Sequence, residues 1–169
     1  MLELEALLER VALALLRRRE RLGTAESCTG GLIAAACTEL SGSSQWFERG
    51  VVSYSNEAKT ELLGVPAALI EAHGAVSAEV AEQMARGLLA RAPIDWAIAV
   101  TGIAGPTGGT PGKPVGTVWL ALAEAGGPAL VWQEHFGGDR WAVRQSTLRA
   151  ALQALDQALD QTPQGAVSH

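Results

Sequence analysis

The chain is poor in cysteine and has no long apolar stretch, and each absence excludes a class of protein. Two cysteines, Cys28 and Cys37, occur among the 169 residues. They fall at the start of and within one predicted helix, about 13 Å apart at ~1.5 Å per residue, which is too far for a disulfide. No apolar run approaches the roughly 20 residues that span a bilayer, and the first residues lack the pattern of a secretory signal. We therefore expect a cytoplasmic protein without disulfides or membrane spans.

Positive charge is also scarce. A net charge of -5 and a pI near 5.2 disfavour nucleic acid as a partner, because duplex-binding proteins usually carry a basic face. The basic cluster Arg17–Arg21 closes a helix that begins with acidic residues, so we interpret it as complementing the helix dipole. The histidines His73, His135 and His169 have no ligand spacing with one another or with acids. We expect no metal or other cofactor, and a Ser-His-Asp triad is disfavoured.

Lysine is nearly absent, which draws attention to the lysines that remain. The 13 cationic residues are eleven arginines and two lysines, Lys59 and Lys113. A desolvated ammonium group can lose its proton and act as a base, which a guanidinium cannot do. Lys113 lies in a stretch rich in Gly and Pro, whereas Lys59 follows a strand together with Tyr54, Ser55 and Asn56. The sequence therefore favours Lys59 as a functional residue.

Hydrophobic periodicity predicts one α/β domain over residues 1–161, followed by a flexible tail over residues 162–169. The last two strands are separated by a Gly-Gly turn and should be antiparallel, so the sheet should be mixed and mostly parallel, with about five strands. Helices are predicted over residues 2–20, Thr29–Glu39, a segment capped by Asn56 and ending by Gly64, Ala78–Arg91 and Asp139–Gln161. Strands are predicted over Gly23–Glu26, Arg49–Ser53, Ile94–Val100, Gly116–Glu124 and Ala129–Phe136.

Two segments rich in Ser, Thr and Gly follow predicted strands: Thr24–Gly31 (TAESCTGG) and Thr101–Pro106 (TGIAGP). Loops that leave the carboxyl ends of strands face one crevice in an open α/β sheet, so the two segments can jointly hold a small polar ligand. Gly30 and Gly31 allow close approach of the backbone, and the helix that follows offers N–H groups to an anion.

If the first two strands are parallel, Ser27 and Lys59 emerge at the same edge of the sheet. A neutral Lys59 would then take the proton of the Ser27 hydroxyl, and amides of residues 28–31 would stabilise an oxyanion. The alternative is that Ser27 caps a helix and Lys59 is solvated. Cys28 is a second candidate nucleophile, because a helix N-terminus can lower the pKa of a thiol.

Four further features have both a functional and a structural interpretation. Ser44 is either a turn residue or a second hydroxyl brought in by the fold or by a partner chain. Thr101 either binds a ligand or ends a strand, and Arg140 either pairs with a phosphate or carboxylate or is solvated. Trp141 is either a core residue, which is the favoured interpretation, or a stacking platform for a ligand. The stretch Gly105–Pro114 should be a mobile loop and is a candidate lid.

Seven motifs occur in an order that resembles the CinA C-terminal domain family: TAESCTGG, GSSQWFERGVVSYSNEAK, GVP, HGAVS, TGIAGPTGG, KPVGTVW and FGGDRWAVR. The resemblance extends from about Leu7 to Leu159. It implies a three-layer α/β/α sandwich, a homodimer, and metal-independent Ser/Lys hydrolysis of nicotinamide mononucleotide to nicotinate mononucleotide and ammonia. Many family members carry an additional N-terminal domain, and we expect this chain to be the stand-alone form.

The resemblance also indicates which positions act. It implicates Ser27, Ser44, Tyr54, Lys59, Thr101 and Arg140, and the residues expected to contact substrate are Thr29, Gly30, Gly31, Asn56, Gly102 and Arg140. It leaves open whether Ser27 or Ser44 is the nucleophile, and the position of Ser27 at a strand exit favours Ser27. The competing hypothesis is a non-catalytic nucleotide-binding or regulatory module linked to competence or DNA damage.

Overall fold

The computed structural model describes residues 2–163. The tail expected over residues 162–169 lies outside the described residues from residue 164 onward. The described residues form six α-helices, a short 3-10 helix at Ser43–Gln45, and five strands. The helices are α1 (Leu2–Arg18), α2 (Leu32–Thr38), α3 (Asn56–Leu63), α4 (Ala67–His73), α5 (Ala78–Arg91) and α6 (Arg140–Gln161). The strands are β1 (Leu22–Glu26), β2 (Phe47–Val52), β3 (Trp96–Gly102), β4 (Thr117–Glu124) and β5 (Ala129–His135). None of these helices is both long and apolar enough to cross a membrane.

The five strands form one mixed sheet in the order β2-β1-β3-β4-β5. Strand β1 is central to a parallel group, pairing with β2 on one side and β3 on the other. Strands β4 and β5 extend the sheet by antiparallel pairing. The expected mixed sheet of five strands is confirmed, and its parallel group brings the carboxyl ends of β1, β2 and β3 to one edge.

Helices cover both faces of the sheet, which confirms the α/β/α sandwich. Alternation along β3 shows why: Trp96, Ile98 and Val100 face a core shared with α1, α2 and α6, whereas Ala97 and Ala99 face α3, α4 and α5. Side chains of a strand alternate between its two faces, so a strand that is apolar at every position needs cover on both sides. The alanines allow α5 to lie close to the sheet.

Helix bounds agree with the sequence where capping chemistry is clear. Helix α5 spans the predicted Ala78–Arg91, and the Ser77 hydroxyl accepts a hydrogen bond from the Val80 amide as expected of a cap. Helix α2 begins at Leu32 rather than at Thr29, because Gly30 and Gly31 have positive φ angles of 59° and 102° that α-helical backbone does not adopt. Helix α4 was not predicted, because it has only seven residues and Pro66, the residue before it, offers no capping side chain.

The close approach of α5 to the end of α3 makes Gly87 a test of the packing. A Cβ atom at Gly87 would lie 1.8 Å from the Leu63 carbonyl oxygen. Glycine to alanine in a helix interior ordinarily stabilises by about 1 kcal/mol. Here we expect Gly87→Ala to lower the free energy of unfolding by about 1–3 kcal/mol, the usual cost of overpacking. Urea titration measures the change.

The control is Gly112→Ala, because a Cβ there meets no atom within 4 Å. We expect this variant to unfold at the wild-type urea concentration. A Gly87→Ala protein as stable as wild type would show that α5 and α3 are not packed this closely.

Candidate active site

The edge formed by the ends of β1, β2 and β3 carries the residues that sequence reasoning singled out. Strand β1 ends at Glu26, and the next residue, Ser27, is fixed by its amide, which donates to the Val100 carbonyl at 3.1 Å. The Ser53 amide, just past β2, donates to the Glu26 carbonyl at 2.9 Å. Sheet hydrogen bonding therefore continues one residue past the strand ends and holds Ser27 in place.

Lys59 is buried beside Ser27, as the dyad hypothesis requires. The Lys59 side chain is 1 % exposed, and its Nζ lies 3.2 Å from Ser27 Oγ, 3.2 Å from the Tyr54 carbonyl oxygen and 3.5 Å from that of Ser55. The interpretation of Lys59 as solvated is thus wrong. The interpretation of Ser27 as a helix cap is also wrong, because the residue preceding α2 is Gly31, which has no capping side chain.

The start of α3 places the lysine. The Ser55 hydroxyl accepts from the Ala58 amide at 3.0 Å, so Ser55 caps the helix and Asn56, the expected cap, is its first residue. Lys59 follows in the next turn, with its side chain pointing back across the backbone of Tyr54 and Ser55 toward β1. A single serine cap therefore sets both the helix start and the direction of the lysine.

The electrostatic environment of Lys59 favours its neutral form. Burial lowers its pKa below the ordinary value of 10.5, while Cys28 and Glu57 act in the opposite direction. Desolvation penalises a charged ammonium more than a neutral amine. The two carbonyl acceptors still satisfy two N–H groups of a neutral amine. Its remaining lone pair is then directed at the Ser27 hydroxyl.

Glu26 is a functional residue that sequence reasoning missed. Its carboxylate is 1 % exposed and accepts from the Thr29 hydroxyl at 2.6 Å and from the amides of Ile33 and Ala34 at 2.9 and 3.0 Å. It therefore fills the N-terminus of α2 and braces the turn that carries Ser27. Acidic side chains favour helix N-termini, but Glu26 lies six residues before Leu32, so the sequence alone did not show that the turn folds back and brings its carboxylate to the start of α2.

This arrangement corrects the anion site expected at the start of α2. The amides of Ile33 and Ala34 are occupied by Glu26, and the Gly30 amide donates to the Ser27 carbonyl at 3.0 Å. Thr29 is fully buried with its hydroxyl turned to the same carboxylate. The amides of Gly30, Leu32, Ile33 and Ala34 are thus satisfied from within the protein, which leaves few donors at this helix start for an anionic ligand.

A cavity of about 260 Å³ opens above Ser27 and Lys59. It brings together most of the predicted site residues but leaves out Ser44 and the Thr29–Gly31 turn. Its functional lining residues are Ser27, Cys28, Tyr54, Asn56, Lys59, Thr101, Gly102 and Arg140. The two segments rich in Ser, Thr and Gly therefore do face one crevice.

Polar groups on the far wall of this cavity are held in fixed orientations. The Thr101 hydroxyl donates to the Ala75 carbonyl at 2.9 Å, which leaves its oxygen lone pairs free to accept. Arg140 donates from Nη1 to the Gly105 carbonyl at 2.8 Å and from Nη2 to the Tyr54 hydroxyl at 3.2 Å. Arg140 thereby joins the loop after β3 to Tyr54 at the cavity mouth. The mobility of the loop Gly105–Pro114 stays a prediction.

Ser44 lies at the other end of the sheet. It belongs to the 3-10 helix at Ser43–Gln45, just before β2 begins at Phe47, and it is exposed. Ser27 follows the carboxyl end of β1, which runs parallel to β2. Within one chain Ser44 therefore cannot reach Lys59, which agrees with its favoured interpretation as a turn residue at the opposite edge and is against a second hydroxyl brought in by the fold.

Comparison with known proteins places this arrangement in a family. The CinA C-terminal domain family model matches residues 4–159. The chain is 51% identical over 153 residues to nicotinamide-nucleotide amidohydrolase PncC of Escherichia coli strain K12, covering 90% of this chain and 93% of that protein. It is 53% identical over 154 residues to a CinA-like protein of Mycolicibacterium gilvum, covering 91% of this chain and 36% of that longer protein.

Solved structures agree with the fold. A crystal structure of a competence-damaged protein (CinA) superfamily protein from Klebsiella pneumoniae 700603 has a TM-score of 0.90 at 42% identity, covering 94% of this chain and 99% of that one. The competence/damage inducible protein CihA from Agrobacterium tumefaciens also has a TM-score of 0.90, at 45% identity, with 94% and 96% covered. The α/β/α sandwich is therefore shared with structures of clear sequence similarity.

The environment of Cys28 argues against its use as a nucleophile. Burial raises its pKa to about 12, opposite to the lowering expected at a helix N-terminus. Burial likewise raises the pKa of Cys37 to about 12, and both thiols are free.

We expect Cys28 and Cys37 to resist iodoacetamide at pH 8 in the folded protein, since the thiolate is the reactive form. Mass spectrometry after timed alkylation measures this, with urea-unfolded protein as the fully reactive control. Rapid modification of Cys28 in the folded protein would restore it as a candidate.

Proposed function

We propose that this chain, which belongs to the CinA C-terminal domain family, is a nicotinamide-nucleotide amidohydrolase. It would convert nicotinamide mononucleotide and water to nicotinate mononucleotide and ammonia without a metal. The observation that carries the proposal is the 3.2 Å contact between buried Lys59 Nζ and Ser27 Oγ in a cavity lined by polar groups. The PncC name of relatives about half identical in sequence supports the choice of substrate.

The first chemical step uses the lone pair of neutral Lys59. Its two N–H contacts, to the Tyr54 and Ser55 carbonyls, orient the amine toward Ser27. As Ser27 Oγ forms a bond to the carboxamide carbon, its proton moves to Lys59 Nζ. The carbonyl oxygen of the substrate becomes an oxyanion. Because the Gly30 amide is used by the Ser27 carbonyl, the Cys28 amide next to the nucleophile is the leading donor to that oxyanion.

The second half of the reaction returns the proton. Protonated Lys59 gives its proton to the departing nitrogen, the C–N bond breaks, and ammonia leaves an ester on Ser27. Water then attacks the ester, with Lys59 accepting a proton from the water and returning it to Ser27 Oγ. Nicotinate mononucleotide is released with the enzyme unchanged. No step requires a metal ion, and among residues 2–163 no group of three His, Cys, Asp or Glu side chains is placed to hold one.

The remaining cavity residues position the substrate. The Thr101 hydroxyl donates to Ala75 and so presents lone pairs that can accept an N–H of the carboxamide. Asn56, Gly102 and Tyr54 complete the walls. Arg140 supplies positive charge at the mouth, where the ribose phosphate would leave the cavity, and its bond to the Gly105 carbonyl fixes that charge in place.

Replacing the base tests the chemistry. We expect Lys59→Arg to lose at least 100-fold in kcat, because an arginine stays protonated. Ammonia release from nicotinamide mononucleotide, with free nicotinamide as the control substrate and a chelator present, measures the loss. Lys113→Arg is the matched control, since it makes the same exchange on the exposed loop, and it should keep wild-type activity. Comparable activity in Lys59→Arg would contradict the role of Lys59 as base.

The pH dependence follows from the direction of the Lys59 shift. The base must be neutral, and burial holds its pKa below 10.5. We therefore expect kcat/KM to rise with pH through an apparent pKa below 10.5 and to level off above it. Burying the charged ammonium also lowers the free energy of unfolding. This destabilisation is fully present below the pKa of Lys59 in the folded protein and is lost as the pH rises to the ordinary value of 10.5. A rate independent of pH across this range would contradict the assignment.

The competing hypothesis, a nucleotide-binding module without catalysis, makes a different prediction. It predicts that nicotinamide mononucleotide raises the unfolding temperature of the wild-type protein while no ammonia is released. That pair of results would overturn the enzyme proposal.

We further propose that the protein acts in the cytoplasm as a homodimer without a nucleic-acid partner. The free buried thiols support the cytoplasm as its location. The net charge of -5 supports the absence of a nucleic-acid partner.

A further inference from the structure

A second cavity adjoins the catalytic one. Its volume is about 650 Å³, and the two cavities share Ala104 and Arg140 as lining residues. The outer cavity is also lined by Val115, Trp141 and Arg144. Val115 and Trp141 are both exposed, at 37 % and 58 %. The position of Trp141 corrects its interpretation as a core residue and gives the outer cavity an apolar wall beside two arginines.

Arg140 and Arg144 lie one turn apart on α6, so their side chains share a face of the helix. Arg144 donates from Nη2 to the Thr29 carbonyl at 3.1 Å, and its Cζ lies 5.9 Å from the centre of the Trp141 ring. These contacts fix the guanidinium and leave its other N–H groups without an acceptor among residues 2–163. The acidic member of the lining, Asp139, accepts from the Ala142 amide at 2.9 Å and so serves as the cap of α6.

We propose that the outer cavity is the subsite for the phosphate of the substrate, and that Arg144 selects phosphorylated over unphosphorylated substrates. The proposal rests on the proposed function, which places the carboxamide at Ser27. Arg144 contacts Thr29, two residues from Ser27, and two Cα steps span at most about 7.6 Å. A ligand that starts at Ser27 and passes Arg140 therefore reaches Arg144 within the length of one nucleotide.

The chemistry of the subsite favours a phosphate. A guanidinium offers parallel N–H donors that match two oxygens of a phosphate, and apolar walls strengthen such contacts by excluding water. The α2 N-terminus, the other candidate for the anion, is filled by the Glu26 carboxylate. In a chain of net charge -5, two arginines beside one capped aspartate form a local positive site.

Steady-state kinetics with two substrates test the proposal. Ammonia release is measured with nicotinamide mononucleotide and with nicotinamide riboside, which lacks the phosphate. We expect Arg144→Ala to raise KM for the nucleotide at least tenfold, with kcat changed by less than about threefold, the loss expected for one charge-assisted contact. The kcat/KM for the riboside should stay at the wild-type value. Arg144→Lys, which keeps the charge, should recover part of the affinity.

The matched control is Arg149→Ala on the same helix, where the side chain lies 3.8 Å from Glu3 and lines neither cavity. It should leave both substrates unaffected. An equal loss with both substrates would overturn the proposal, because Arg144 would then act only by supporting the Thr29 turn. Unchanged kinetics with the nucleotide would place the phosphate elsewhere.

Failure of the proposed function gives a different result. In that case wild-type protein releases no ammonia from either compound. Titration calorimetry of wild type and Arg144→Ala with the nucleotide then tests the subsite by itself. We expect the dissociation constant to rise at least tenfold in the variant, and an unchanged constant would overturn the subsite.

Discussion

The contact between Lys59 Nζ and Ser27 Oγ is the interaction on which the site depends. A lysine that is 1 % exposed needs partners inside the protein: two backbone carbonyls accept its N–H groups, and the Ser27 hydroxyl faces its lone pair. Those partners follow the ends of β1 and β2, so the pair exists only while the two strands stay parallel and in register. The same burial that makes a charged lysine costly also favours its neutral form, which can accept a proton, and this links the fold directly to the proposed chemistry.

The serine is held between buried ionisable groups on opposite faces of the sheet. Glu26 points toward α2 and accepts from the Thr29 hydroxyl and two helix amides, while Ser27, the next residue, faces Lys59 on α3. Alternation along an extended backbone separates the two side chains and prevents a simple ion pair that would keep the lysine charged. Because Glu26 occupies the Ile33 and Ala34 amides of α2, we propose that the positive charge for the substrate comes from Arg140 and Arg144 on α6.

Local patterns predicted much of this arrangement. The strand periods, the Ser77 cap and the single lysine at a strand exit indicated the sheet, α5 and the Ser27–Lys59 pair. Three features depended on tertiary contacts that periodicity does not report. The Glu26 carboxylate replaced a ligand at α2, burial raised rather than lowered the pKa of Cys28, and Trp141 proved exposed because α6 turns that face toward the outer cavity rather than the sheet.

A pair of serine variants distinguishes Ser27 from Ser44 as the nucleophile. Ammonia release from nicotinamide mononucleotide is measured for Ser27→Ala and Ser44→Ala, with thermal unfolding to show that both proteins are folded. We expect activity to fall at least about 1,000-fold in Ser27→Ala, the scale seen when a nucleophile is removed, and to stay near the wild-type value in Ser44→Ala. An active Ser27→Ala protein together with an inactive Ser44→Ala protein would contradict it.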